Sequence, residues 1–100
     1  MSTTAPIKIL DTSVVAISAR QISSAMGPEQ AILQLDSGKY YGLNPVGARV
    51  WQLAAAPRKV SEILATLLAE YEVPADRCRA DLFALLQKLQ AAGLIEVRNI

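Results

Sequence analysis

The spacing of hydrophobic and polar residues changes character along this chain. From Ile7 to about Met26, Ile and Val are mixed with Ser, Thr and Ala, and the β-branched stretch SVVAISARQIS predicts one strand around residues 14–21. Gly27-Pro28-Glu29 reads as a break. The segment QAILQLDSGKYYGL then alternates, with Ala31, Leu33 and Leu35 on one face and Ile32 and Gln34 on the other. Asp36-Ser37-Gly38 supplies a turn. A two-residue loop at Ser37-Gly38 sets Leu35 opposite Tyr40. A three-residue loop with Gly38 in the left-handed conformation sets Leu35 opposite Lys39 and Tyr41 beside Leu33. The second is favoured, because it brings Leu43 onto the core face and turns Tyr40 away from it.

After Leu43 the period becomes helical. Asn44 is a good N-cap and Pro45 suits the first helical position. Val46, Val50, Leu53 and Ala54 form one apolar stripe in a helix that ends before Pro57. Ser61 caps a second helix, with Ile63, Leu64, Leu67, Leu68 and Tyr71 facing inward. Pro74-Ala75-Asp76 opens a third, which runs to Ala92 and stops at Gly93. LIEV at 94–97 reads as a short closing strand or extended tail. Strands followed by three helices give an α+β domain of winged helix–turn–helix-like layout, and no hairpin wing follows the third helix.

Composition narrows the chemistry. One hundred residues make one domain. Residues 1–6 read as a disordered lead-in and 7–100 as a single folded unit. Hydrophobic residues make up 52% and the mean hydropathy is +0.27. That is high enough to suggest apolar surface beyond the core, for a partner groove or a homodimer. Ten basic against nine acidic residues, with no basic run, leave no field for a nucleic-acid role. With no histidine and a single cysteine, no transition-metal site and no histidine-based triad is expected. The lone Cys78 fits a reducing cytoplasm. No signal peptide and no membrane-spanning run is visible. No cofactor is expected, and no acid–base pairing supports an enzyme.

The densest stretch is LDSGKYYGLNPVGARVW, from Leu35 to Trp51. Gly38, Gly42 and Gly47 have the wrong spacing for a phosphate loop. They read as architecture, as does Asn44. The strand carrying Tyr40 and Tyr41 has no evident partner on its outer side, and an unpaired edge is a template for an extended peptide. The third helix points the same way. Cys78, Leu82, Leu85, Leu86, Leu89 and Ala92 form its stripe and Phe83 widens it to an arc of about 180°, where a single core needs roughly 100°. One margin can therefore face a groove. The outer face, with Asp76, Arg77, Arg79, Asp81, Gln87 and Lys88, is too balanced in charge to read DNA.

LQLDSGKYYGLNPVGARVWQLA, followed by VSEILATLLAEY and DLFALLQKLQAAGLIEV, resembles the PqqD-like peptide chaperones, recognition elements for ribosomally made, modified peptides. The resemblance covers about residues 15–97. It is most specific at Asp36, Tyr41, Leu43 and Asn44, continuing through Gly47 and Trp51 and closing at Asp81, Leu85, Leu86, Gly93 and Leu94. Members acting on the pyrroloquinoline quinone precursor usually carry Pro-Glu-Gly before Leu-Asn, where this chain has Gly38-Lys39-Tyr40-Tyr41. The chain is more similar to stand-alone leader-binding proteins of lasso-peptide pathways. The resemblance implies three antiparallel strands, three helices, and a precursor's leader added as a strand to residues 39–43. It implies a leader-binding site of Lys39, Tyr40, Tyr41, Gly42 and Leu43 with Cys78, Asp81, Leu82 and Leu85. The opposite helix margin, Arg79, Phe83 and Leu86, stays open as the alternative. Catalysis is left to partners, a separate leader peptidase and an ATP-dependent cyclase. The alternatives are a chaperone of the quinone precursor and, more distantly, a winged-helix nucleic-acid-binding or scaffold protein.

Overall fold

The computed structural model describes residues 7–99; the expected lead-in at 1–6 lies outside them. The chain runs β1 (Val14–Ile17), β2 (Gln21–Met26), β3 (Glu29–Gln34), β4 (Tyr40–Leu43), α1 (Pro45–Leu53), β5 (Arg58–Lys59), α2 (Val60–Glu70), α3 (Ala75–Ala91) and β6 (Ile95–Arg98). The α+β class, the three helices and the antiparallel sheet before them are as expected. The strands, however, form two sheets. One has the order β2-β3-β4 and the other β5-β1-β6. The single strand expected over 14–21 is two strands belonging to different sheets, broken at Ser18-Ala19-Arg20. Ser18 N–H leaves the first of them to donate to the Leu94 carbonyl at 2.9 Å.

The hairpin loop is one residue longer than expected. Leu33 faces Tyr40 and Ile32 faces Tyr41, so residues 35–38 form a four-residue loop. Gly38 has φ +70° at its last position, as that turn requires. A one-residue slip exchanges the faces of a strand. The core face of β3 is thus Gln30, Ile32 and Gln34, whereas the sequence pattern favours Ala31, Leu33 and Leu35. The orientation of β4 is as expected, with Leu43 buried and Tyr40 76% exposed.

A buried glutamine explains the register. Gln34 is only 5% exposed, and its amide is occupied on both sides. Its Oε1 accepts from the backbone N–H of Asp36 and of Ser37, at 2.5 and 3.0 Å. Its Nε2 donates to the Gly93 carbonyl at 3.4 Å. A buried amide left unpaired would cost a few kcal/mol, roughly 1–3. Gln34 therefore belongs inside, pinning the hairpin loop to the end of α3.

Local chemistry sets the helix ends. Asn44 Oδ1 accepts from Gly47 N–H at 2.8 Å, and Pro45 follows as the first helical residue. α2 begins at Val60, and Glu62 Oε1 accepts from Lys59 N–H at 3.1 Å; Ser61 lies inside the helix and does not cap it. α3 closes in a Schellman motif, Gly93 N–H donating to Gln90 at 3.0 Å and Leu94 N–H to Leu89 at 2.9 Å. Gly93 has φ +73°, and a Cβ there would lie 2.9 Å from Gln34 Nε2. Gly93→Ala is therefore expected to destabilise the fold by about 1–2 kcal/mol. A thermal melt with an unchanged midpoint would show that this turn is not strained by a side chain.

The core joins both sheets to the helices through Val15, Ile32, Val50, Trp51, Ile63, Leu67, Leu86 and Leu94. On α3 the buried spine is Leu82, Leu86 and Leu89. Leu64, Leu68 and Tyr71, expected to face inward on α2, are half-buried.

Candidate functional site

β4 lies at the edge of its sheet, paired with β3 alone. Antiparallel pairing fixes which of its groups are free. Gln34 N–H donates to the Lys39 carbonyl at 2.9 Å. Hydrogen-bonded pairs alternate along such a ladder, so Tyr41 and Leu43 turn their backbone groups to β3. Tyr40 and Gly42 then present N–H and C=O groups to the open side. That spacing is what a fourth strand needs to extend the sheet.

Beside this edge lies a cavity of about 470 Å³. Gly42 and Leu43 line it from β4, followed by Asn44, and Val46, Gly47 and Val50 line it from α1. The end of α2 and the connection to α3 supply Leu67, Tyr71 and Val73. α3 contributes Arg77, Cys78, Asp81, Leu82, Leu85 and Lys88. Arg49 clamps two of the walls together, its guanidinium donating to both oxygens of Glu70 at 2.9 and 2.7 Å. This pairing holds the Glu70 carboxyl below its usual range. The Cys78 thiol is pushed up by burial, and further by the Asp81 carboxylate.

Of the residues singled out in the sequence, the fold gathers Gly42, Leu43, Cys78, Asp81, Leu82 and Leu85 around this cavity. Lys39, Tyr40 and Tyr41 do not line it. Tyr41 packs half-buried against the core, on the inner side of β4. Tyr40 stands on the outer side, opposite Leu33, which in turn faces Ile22. The other margin of α3 is engaged elsewhere. Arg79 pairs with Asp11 and sits over the Phe83 ring, 4.7 Å from its centroid, and Leu86 is fully buried. Pattern reading missed the contributions of α1 and of the α2–α3 connection. Val46 reads as a core residue from its helical spacing, yet it is 45% exposed at the cavity wall. Val73, an isolated apolar residue before Pro74, was the available signal for the connection.

The site has an open strand edge, an adjoining apolar trough and a few charges at its wall, the features of a receptor for an extended peptide. No helix among the described residues is long and apolar enough to cross a membrane. Solved structures share the architecture. The structure of TbiB1 in complex with the TbiA(beta) leader peptide matches with a TM-score of 0.76 and 33% identity, over 81% of this chain and 94% of that one. A lasso peptide synthetase B1 complexed with the leader peptide matches with a TM-score of 0.72 and 22% identity, over 82% and 96%. No curated protein sequence matches the chain. The family model for coenzyme PQQ synthesis protein D (PqqD) matches residues 29–95, from the first residue of β3 to the first of β6, and with it the hairpin, all three helices and the whole cavity lining; the chain belongs to the PqqD family.

Proposed function

We propose that this protein binds the leader segment of a ribosomally made precursor peptide as a strand added to β4, with leader side chains entering the trough against α3. The observation that carries this reading is the free edge of β4 running beside an apolar cavity. It is supported by the 33% identical TbiB1, whose structure holds a leader peptide. Backbone hydrogen bonds along the edge make few demands on leader sequence, and the trough selects a few apolar side chains. Ordering a short peptide offsets part of this gain, so affinity on the order of micromolar or somewhat tighter is expected.

On this reading the chain is a cytoplasmic carrier rather than an enzyme, and a separate leader peptidase and a cyclase do the chemistry. Tethering the leader raises the local concentration of the precursor at those enzymes. The sequence resemblance favours a lasso-peptide precursor. The family's quinone-synthesis description keeps the pyrroloquinoline quinone precursor as the second reading. Titrating the two leaders separately distinguishes them.

Cys78 offers the test of location. Its thiol is half-buried in the cavity wall and held above the ordinary thiol range, so alkylation should be slower than for free cysteine near neutral pH and should speed up as pH rises. The measurement uses a synthetic TbiA(beta) leader peptide, the peptide held by the 33% identical TbiB1. Saturating peptide is expected to slow iodoacetamide labelling of Cys78 at least about tenfold. Saturable binding that leaves the labelling rate unchanged would place the peptide elsewhere. Absence of binding, together with salt-steep retardation of DNA, would overturn the reading altogether.

A further inference from the structure

The cavity wall carries two cations, Arg77 and Lys88, against one carboxylate, Asp81. Their situations differ. Arg77 and Asp81 form an i,i+4 ion pair at 3.9 Å. Lys88 makes no ion pair among the described residues, and its i±3 and i±4 neighbours on α3 are Ala84, Leu85, Ala91 and Ala92. The end of the helix favours a cation there, but its partial charge leaves most of the ammonium charge unanswered.

A second lysine comes to the same end. Lys39 is exposed just before β4 and does not line the cavity itself, but it continues the alternation of Tyr41 and Leu43 toward the hairpin loop. Its carbonyl accepts from Gln34 N–H, and Gln34 Nε2 reaches the Gly93 carbonyl just past α3. The hairpin loop before β4 is thus tied to the turn that ends α3, five residues after Lys88. From Arg77 to Lys88 the lining runs along the helix for about 16 Å of rise, which is the length of about five residues of extended peptide.

We propose that this end of the trough selects a carboxylate: the leader strand that fits β4 carries an Asp or Glu at the position reaching Lys39 and Lys88, next to the apolar side chain that fills the cavity. The proposal rests on the leader-binding reading and names the chemistry of its peptide. An apolar trough alone would hold a strand in several registers. A single charge-assisted contact at one end fixes the register and the direction, because a peptide slipped or reversed loses it.

The experiment titrates the fluorescein-labelled synthetic leader, and the same peptide with every Asp and Glu changed to Asn and Gln, against wild type, Lys88→Glu and Lys39→Glu. Wild type is expected to bind the neutralised peptide about 3- to 10-fold more weakly, and to lose a similar factor for the native leader between low and high salt. Lys88→Glu should weaken the native leader at least about tenfold, and a leader with its acidic residue changed to Lys should recover most of that. Equal binding of native and neutralised leaders to wild type, or a leader with no acidic residue in its strand, overturns the charge assignment and leaves the leader-binding reading standing. Failure of wild type to bind either peptide overturns both.

Discussion

Leu85→Asp is expected to weaken leader binding at least about 100-fold while the protein stays folded. Leu85 is half-buried on the margin of α3 that lines the cavity, one position before the fully buried Leu86. In the free protein a carboxylate at residue 85 can turn toward the open side of the trough and stay hydrated. A bound leader closes that side, and an unpaired carboxylate stripped of water costs several kcal/mol. A hundredfold loss needs only about 2.7 kcal/mol. Circular dichroism and a thermal melt check the fold, and fluorescence anisotropy reads the binding. Val73→Asp gives an independent arm, since Val73 is 43% exposed in the connection before α3 and contributes little to the core. Wild-type affinity in both variants would move the peptide off this cavity.

Gly42→Pro should also reduce binding by more than about tenfold, for a different reason. Gly42 N–H points to the open side of β4, so proline removes a donor the added strand needs without removing one from the β3–β4 ladder. Gly42→Ala is the control. A Cβ at Gly42 meets nothing within 4 Å, so alanine keeps the donor and should bind within about twofold of wild type. Proline at Tyr41 would be a poorer probe. Tyr41 faces Ile32 in a hydrogen-bonded pair, so that substitution damages the sheet itself. If Gly42→Pro binds as well as Gly42→Ala, main-chain pairing at β4 is not what holds the leader.

The features legible in the sequence are those in which a residue acts on its own neighbours. Asn44 and Pro45 start α1, Gly38 closes the loop and Gly93 ends α3, each by a backbone preference that needs no distant partner. The register of β3 was not legible. Ala31, Leu33 and Leu35 look more apolar than Gln30, Ile32 and Gln34, and ordinary burial preferences choose the wrong face. Gln34 reverses the choice by bonding its own loop and Gly93, a residue 59 positions away.

The same distinction holds at the site. Helical periodicity shows that the apolar arc of α3 is too wide for one core, but an arc cannot say which margin is free. Asp11 decides it by capturing Arg79 from 68 residues away, which leaves Cys78, Asp81 and Leu85 at the cavity. The split of the first strand into two sheets was equally hidden. Ser18, Ala19 and Arg20 do not break a strand by composition, and the partners that separate β1 from β2 are β6 and β3. Val46 reads as core and Val73 as part of a connection, because apolar residues of a groove and of a core look alike until the walls are assembled.

Amide hydrogen exchange tests most directly whether a peptide strand completes the edge of β4. In the free protein the amides of Tyr40 and Gly42 should exchange quickly, while those of Tyr41 and Leu43 are protected by β3. With saturating leader peptide, Tyr40 and Gly42 should become protected by at least about tenfold, while Ile22 and Ser24, on the opposite edge strand β2, should be unaffected. Leader binding that leaves Tyr40 and Gly42 exchanging at their free rates would contradict strand addition at β4.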